Sequence, residues 1–185
     1  MSKRPKVLCC ADMSVGEDVL GALRVVADIE TLPPERAVLL DRIGEFDGYL
    51  ASLHVRMDAE MLARAERLRV IATPSTGTDH IDLAEAERRG IEILSLKTEY
   101  DLLDRVTCTA ELAWGLLLAA VRRIPWAFRA AGEGRWARDA FRGRQLAGKT
   151  LGIIGLGRLG RMVAEYGRAF RMRVLATDVR PVEAP

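Results

Sequence analysis

The chain has 185 residues, of which 49% are hydrophobic and 29% charged, and its formal net charge is +2. This composition excludes a disordered, collagen-like or disulfide-stapled protein. The three cysteines, Cys9, Cys10 and Cys108, form no CxxC pair, and we expect reduced structural thiols. The N-terminus has no signal-peptide pattern, and the most apolar stretch, 112–121, is too short to span a membrane. We therefore expect a soluble, cytoplasmic protein with no membrane partner.

Charge is distributed unevenly along the chain. Residues 121–173 hold 13 basic and 3 acidic residues, a local balance of +10, so the other 132 residues carry −8. The near-neutral total therefore conceals an acidic part and a basic part.

Short apolar strands alternate with helices over the first hundred residues. We predict strands at 6–11, 28–32, 48–53, 69–73 and 91–96. We predict helices at 16–26, 33–46, 58–68 and 83–89, with Asp58 as an N-cap and Gly90 as a stop signal. This alternation is typical of βαβ units, and five strands make a complete flavodoxin-like parallel sheet.

The alternation stops near residue 98. We predict a polar connection over 98–105, a long apolar helix over 107–123 that is buried between domains, and a second helix over 126–131. Residues 132–148, rich in Gly and Arg, are predicted to be irregular. We expect one domain over residues 1–100 and another over 101–185.

A strand–glycine loop–helix pattern follows. A strand is predicted over 150–154, a helix over 161–170 and a second strand over 173–178, which ends at Asp178. Gly155, Gly157 and Gly160 lie between the first strand and the helix. The glycine spacing and an acid 18 residues after Gly160 are typical of a dinucleotide-binding fingerprint.

Each position of this pattern has a physical reason. Gly155 allows a tight turn, Gly157 lets the backbone approach a pyrophosphate, and Gly160 lets the helix pack closely on the sheet. Asp178 would bind the adenosine ribose and repel a 2′-phosphate, which favours NAD over NADP, while Arg180 weakens that preference slightly. The alternative is a strand–turn–helix whose glycines serve packing only.

Three segments together resemble one family. Residues 146–160, residues 75–82, and residues 122–125 with 134–136 are similar to D-isomer-specific 2-hydroxyacid dehydrogenases, the family of D-3-phosphoglycerate, glyoxylate and formate dehydrogenases. The resemblance covers essentially the whole chain. It implies a flavodoxin-like substrate domain, then a linker helix and the first part of a Rossmann NAD-binding domain. It also implies hydride transfer between nicotinamide and a small 2-hydroxy or 2-keto acid.

The resemblance assigns two binding loops. The backbone N–H groups of Thr76, Gly77 and Thr78 would bind the substrate carboxylate. A glycine-centred loop after a parallel strand is a reasonable anion site, although an ordinary βα turn is the alternative. Cofactor binding would fall to Gly155, Gly157, Arg158, Leu159, Gly160 and Asp178.

Catalysis is where this chain departs from the family. The Arg, Glu and His that act on the substrate lie later in the family's cofactor domain, so we expect a truncated chain with no catalytic residue, no metal site and little or no activity alone. His54 follows a strand and His80 lies in the 75–80 loop; we expect both to be surface or satisfied side chains. Where many relatives have Ala-Glu-His, this chain has Ala110, Glu111 and Leu112, so any role of that histidine is lost.

Two other functions stay open. One alternative is a non-catalytic, corepressor-like protein that binds NAD or a partner. The other is an inactive truncated product with an unpaired sheet edge. The basic stretch 122–144, with aromatic residues interleaved, has a composition that also suits nucleic acid. The resemblance implies instead an arm of a homodimer, in keeping with the Arg and aromatic enrichment of interfaces, and we expect no nucleic-acid partner.

Overall fold

The computed structural model describes residues 4–12 and 17–181. The chain divides into two compact units, Met1–Tyr100 and Asp101–Pro185. Strands β1 to β7 are Lys6–Cys9, Asp28–Thr31, Gly48–Leu50, Val70–Ala72, Glu92–Leu94, Thr150–Ile154 and Arg173–Thr177. Helices α1 to α8 are Glu17–Val26, Arg36–Arg42, Ala59–Arg64, Leu83–Arg88, Tyr100–Leu103, Cys108–Val121, Ile124–Gly132 and Arg158–Ala169.

The first unit is built on a five-stranded parallel sheet. Its strand order is β2-β1-β3-β4-β5, and every neighbouring pair is parallel. The largest fully buried side chains include Leu8, Phe46, Tyr49, Met57 and Ile71. This strand order confirms the predicted flavodoxin-like sheet. The sheet forms because short apolar runs alternate with helices, as βαβ units require.

Helix ends in this unit follow the predicted signals. The Asp58 carboxylate accepts a hydrogen bond from the N–H of Met61 at the start of α3, and Asp82 caps α4 through the N–H of Glu85. Gly90 follows α4 with a φ of +67°, a conformation that costs glycine little. These capping bonds satisfy donors that a helix cannot pair internally.

The second unit contains the parallel pair β6–β7, with α8 packed on it. Ile153, Leu156 and Ala164 form its small apolar core. Trp114 of α6 packs edge-on against Tyr166 and Phe170 of α8, at ring-centroid distances of 5.9 and 5.0 Å. This aromatic cluster attaches α6 to the helix that follows the glycine loop.

Three expectations about the region after residue 98 are wrong in detail. The predicted polar connection contains α5, and α7 begins at Ile124, since Pro125 suits a first helical turn. Within α6, Ala110 and Trp114 are buried, but Leu112 and Leu116 are 64% and 62% exposed. The helix is therefore not buried along its length, because the face with Trp114 packs and the opposite face does not.

The three cysteines do not share one environment. All are free, with Cys9 and Cys10 buried and Cys108 exposed. Burial raises the pKa of Cys10 to about 11, which keeps that thiol protonated and inert. The expectation of structural thiols is wrong for Cys108, because it lies on the first turn of α6, outside the packed face.

Two absences hold for the described residues. No helix there is both long and apolar enough to cross a membrane. Over the same ranges, His, Cys, Asp and Glu side chains form no group able to hold a metal ion.

Candidate functional site

The loop between β6 and α8 is shaped by two glycines. Gly155 has a φ of +91°, which L side chains rarely adopt. A Cβ at Gly160 would overlap the carbonyl oxygen of Gly155. The strand can turn directly into the helix only because both positions lack a side chain.

The start of α8 is open to a ligand. Among the described residues, no side chain caps this end, where Gly157 is the N-cap. Nothing in the described chain lies within 4 Å of the position that a Gly157 Cβ would occupy. Arg158, Leu159 and Gly160 form the first turn, whose N–H groups have no partner inside the helix. Unpaired N–H groups and the positive end of the helix dipole favour a phosphate here.

Asp178 joins the end of β7 to this loop. Its Oδ2 accepts from the N–H of Leu156 at 2.7 Å, and its Oδ1 accepts from the N–H of Arg180 at 3.0 Å. The Arg180 N–H bond, followed by the Leu156 bond, holds the pKa of the Asp178 carboxyl below its ordinary value. The carboxylate is therefore charged at neutral pH and fixed against the loop.

These contacts decide whether a dinucleotide fits. The carboxylate of Asp178 has about four lone-pair positions, and two are taken by backbone N–H groups. Arg180 Nε also pairs with Oδ1 at 3.8 Å, and the Asp178 side chain is only 11% exposed, so a ribose hydroxyl would have to reach the remaining lone pairs through that small open part. The open space at Gly157 and the uncapped helix end fit a pyrophosphate. The residues present therefore fit a dinucleotide cofactor.

The Arg158 side chain makes contacts that the sequence did not predict. Its Nη1 donates to the carbonyl oxygens of Leu103 and Val106 at 2.6 and 2.7 Å. These partners lie 55 and 52 residues earlier in the chain. The resemblance assigns Arg158 to cofactor binding, but no local motif predicts a contact of its guanidinium over such a separation.

The second predicted loop lies in the first unit, after β4. The hydroxyl of Ser75 donates to the carbonyl oxygen of Gly77 at 2.6 Å, which folds the loop on itself. Thr76 and Gly77 are exposed and Thr78 is half-buried. Within the described residues, the N–H groups of these three donate to no protein acceptor. Free, adjacent N–H groups are the donors that a carboxylate needs.

A carboxylate lies beside that loop. A Cβ added at Gly77 would meet Oδ1 of Asp79 at 3.1 Å. The negative charge of Asp79 is thus close to the donors and opposes an incoming anion. The loop therefore offers hydrogen-bond donors to an anion, but the negative charge of Asp79 partly opposes its binding.

The two histidines differ from each other. His54 is exposed, as expected. His80 is only 8% exposed, and neither of its ring nitrogens has a partner among the described residues. The expectation of a surface or satisfied side chain is therefore wrong for His80. Its backbone carbonyl accepts from the N–H of Met57 at 2.8 Å, and this pairing beside Ile81 holds the residue inside the unit.

Neither histidine is set up for proton transfer. General acid–base catalysis by imidazole needs a positioned partner, and within the described ranges no carboxylate is hydrogen-bonded to either ring. The described residues therefore bring together groups for binding and not a histidine–carboxylate pair.

Two family models match the chain. Residues 7–100 match the family model for the D-isomer specific 2-hydroxyacid dehydrogenase catalytic domain. Residues 114–185 match the model for the NAD binding domain of the same family.

Individual relatives point the same way. A glyoxylate reductase from Thermococcus gammatolerans is 36% identical over an alignment of 183 positions, which covers 93% of this chain and 53% of that protein. A D-3-phosphoglycerate dehydrogenase from Mycobacterium tuberculosis is 38% identical over 153 residues, 82% of this chain and 28% of the relative. The crystal structure of the TT0316 protein from Thermus thermophilus aligns with a TM-score of 0.86 and 33% identity, over 97% of this chain and 58% of that one. The chain thus spans about half the length of the glyoxylate reductase.

The open space at Gly157 gives a direct test of the cofactor loop. Because Gly157 has a φ of −73° and no close neighbour, Gly157→Ala should fold normally. The added methyl should block the approach of a pyrophosphate and weaken NADH binding at least about tenfold. Energy transfer from tryptophan to bound NADH measures the affinity.

The matched control is Gly115→Ala on α6, where a Cβ also meets nothing within 4 Å. This variant should bind NADH as the parent does. Unchanged affinity in Gly157→Ala would mean that the loop does not hold the pyrophosphate.

Proposed function

This chain belongs to the D-isomer specific 2-hydroxyacid dehydrogenase family, and we propose that it provides the substrate-carboxylate and dinucleotide sites of such an oxidoreductase. The reaction is hydride transfer between a nicotinamide cofactor and C2 of a small 2-hydroxy or 2-keto acid. The observation that carries the proposal is the glycine loop at the start of α8, open at Gly157 and bonded to a charged Asp178. Relatives named glyoxylate reductase and D-3-phosphoglycerate dehydrogenase support the substrate class.

Each unit has a separate task in this proposal. We assign residues 1–100 to the substrate domain, and 101–185 to the linker helix and the N-terminal part of the NAD-binding domain. The two compact units support that division. In both, the proposed donors follow the carboxyl end of a parallel strand, β4 or β6. Open parallel sheets bind their ligands at that edge.

The residues of this chain bind and orient. NAD, when bound, supplies or accepts the hydride. The N–H groups of Thr76, Gly77 and Thr78 hold the substrate carboxylate. The loop from Gly155 to Gly160, with the backbone of Arg158 and Leu159, holds the pyrophosphate, and Asp178 accepts from the ribose diol. We assign no proton transfer to this chain.

We also propose that the protein is a cytoplasmic homodimer. Free cysteines suit a reducing compartment. On the second unit, Trp136 and Phe128 are 92% and 80% exposed and line a groove of about 490 Å³ with Ile124, Phe141 and several arginines. Exposed aromatic and Arg side chains are enriched in interfaces. The acidic excess outside residues 121–173 offers counter-charges on a second copy.

The charge on Asp178 sets the expected cofactor preference. The parent should bind NADH at least about tenfold more tightly than NADPH, because the carboxylate repels a 2′-phosphate at close range. Asp178→Asn keeps an oxygen for the Leu156 N–H but removes the charge, so the two affinities should converge.

Glu165→Gln, an exposed position on α8, removes the same charge elsewhere and should leave the ratio unchanged. Because the pKa of Asp178 is lowered, the carboxylate should stay charged and the preference should persist as the pH falls to the ordinary carboxyl pKa of about 4. Equal affinities in the parent would contradict this role of Asp178.

Turnover tests the division between binding and chemistry. The 185-residue polypeptide should bind NADH and yet show little or no oxidation of it with glyoxylate or hydroxypyruvate, because neither histidine has a hydrogen-bonded carboxylate within the described ranges. Loss of the reduced-nicotinamide absorbance measures the rate. A rate proportional to protein concentration would show that this chain contains the catalytic groups.

If the aromatic groove is the dimer interface, changes in it should alter the oligomeric state. Sedimentation should show a dimer in the parent, and Trp136→Ser with Phe128→Ser should shift it to a monomer, because the buried aromatic contacts are lost. Leu112→Ser, an exposed apolar position outside the groove, is the control. A parent protein that is monomeric at all salt concentrations would contradict the proposed homodimer.

A further inference from the structure

We propose that Arg158 is a positioning residue that fastens the cofactor loop to residues 103–107, and that a bound pyrophosphate tightens this attachment. Residues 103–107, called the joint here, run from the end of α5 to the start of α6. The inference depends on the proposed dinucleotide site, since the pyrophosphate is its ligand. It adds a role for one side chain that the glycine fingerprint does not require.

The guanidinium of Arg158 bonds to carbonyls near both ends of the joint. Arg158 is the first residue of α8, and its Nη1 donates to the carbonyl of Leu103 at 2.6 Å and to that of Val106 at 2.7 Å. Leu103 is 6% exposed, so its bond is partly shielded from water, whereas the bond to Val106 is exposed. Two short bonds from one nitrogen fix both ends of the segment 103–106.

The joint has few other constraints. α5 is a single turn, and the last carbonyls of any helix lack partners within it. The local bonds of the joint run from the N–H of Val106 to the carbonyl of Leu103 and from the N–H of Arg105 to that of Leu102, and Thr107 bonds to Glu111 through its hydroxyl and its carbonyl. A cation at a helix C-terminus is also favoured by the dipole. Among the described residues, Arg158 is the side chain that hydrogen-bonds to the joint from a distant part of the chain.

The charge of Arg158 remains available. Its two partners are neutral carbonyls, and among the described residues it forms no ion pair. Arg135 and Arg142, on the same unit, are paired with Glu133 and Asp139. No described carboxylate therefore neutralises Arg158, and we infer that its positive charge attracts the pyrophosphate proposed at the start of α8.

The guanidinium can serve both partners at once. It has about five N–H donors, and the joint uses those on Nη1. The donors on Nε and Nη2 are left for phosphate oxygens. A pyrophosphate bound to them would immobilise the guanidinium while it still holds Leu103 and Val106.

Cofactor binding should therefore reduce the backbone motion of the joint. The second unit starts at Asp101, so the joint is the first part of that unit after the chain leaves the first one. Coupling is reciprocal: a ligand that steadies the joint binds more tightly when the joint is already held. A lysine at position 158 would keep the charge, but its donors all lie on one nitrogen. A single ammonium cannot reach both carbonyls and a phosphate at the same time.

Hydrogen exchange at the joint tests this coupling. In the full chain, saturating NADH should slow the exchange of the backbone amides of residues 104–108 by about tenfold or more. Arg158→Gln and Arg158→Lys should reduce that effect to less than about twofold. Their NADH affinities, measured in parallel, should fall about tenfold in Arg158→Gln and less in Arg158→Lys. Arg168→Ala, an exposed arginine on α8, should behave as the parent.

Each outcome has a clear meaning. If NADH binds the parent without slowing exchange at the joint, the coupling is wrong while the cofactor site stands. If Arg158→Lys keeps the full slowing, the two-carbonyl attachment is not the cause. If the parent does not bind NADH at all, the proposed function fails and this inference fails with it. Arg158→Lys keeps the charge at the helix start, so it provides the test even where Arg158→Gln folds poorly.

Discussion

A side chain at Gly160 would overlap the carbonyl oxygen of Gly155, and the architecture of the second unit depends on that close approach. It lets β6 turn into α8 with no longer connection. The N–H of Gly155 then bonds to Thr177 at 2.7 Å, and Leu156 reaches Asp178. With the loop drawn against β7, the first turn of α8 has its N–H groups uncovered and a carboxylate beside it. The shape of the candidate site thus follows from backbone packing alone.

Asp178 and Arg158 hold this loop from two directions. The carboxylate fixes Leu156 from the end of β7, and the guanidinium reaches the carbonyls that precede α6. Both side chains bond to neutral backbone groups, but Asp178 also has an ion-pair partner, the Nε of Arg180 at 3.8 Å, whereas Arg158 has none among the described residues. In the proposed site, a dinucleotide would meet the carboxylate of Asp178 near its ribose and the guanidinium of Arg158 near its pyrophosphate. Such preorganisation reduces the ordering that binding requires.

Much of this could be predicted from the sequence. The five-stranded sheet and the β6–α8–β7 pattern are encoded locally, by apolar runs of strand length, by caps such as Asp58, and by glycine spacing. The contacts that sequence analysis missed are non-local. Arg158 meets carbonyls 55 and 52 residues away. The burial of His80 depends on pairing between Met57 and Ile81, and the exposure of Cys108 depends on which face of α6 packs. Periodicity does not encode such facts.

Backbone amide shifts measured by nuclear magnetic resonance during an NADH titration test the central claim most directly. If the loop is the cofactor site, the largest shifts should fall on residues 155–160 and on Asp178 to Arg180. Amides of the sheet β1 to β5 should move little, because that unit contributes no residue to the proposed dinucleotide site. Shifts absent from the loop at saturating NADH, or concentrated in the first unit, would contradict the account.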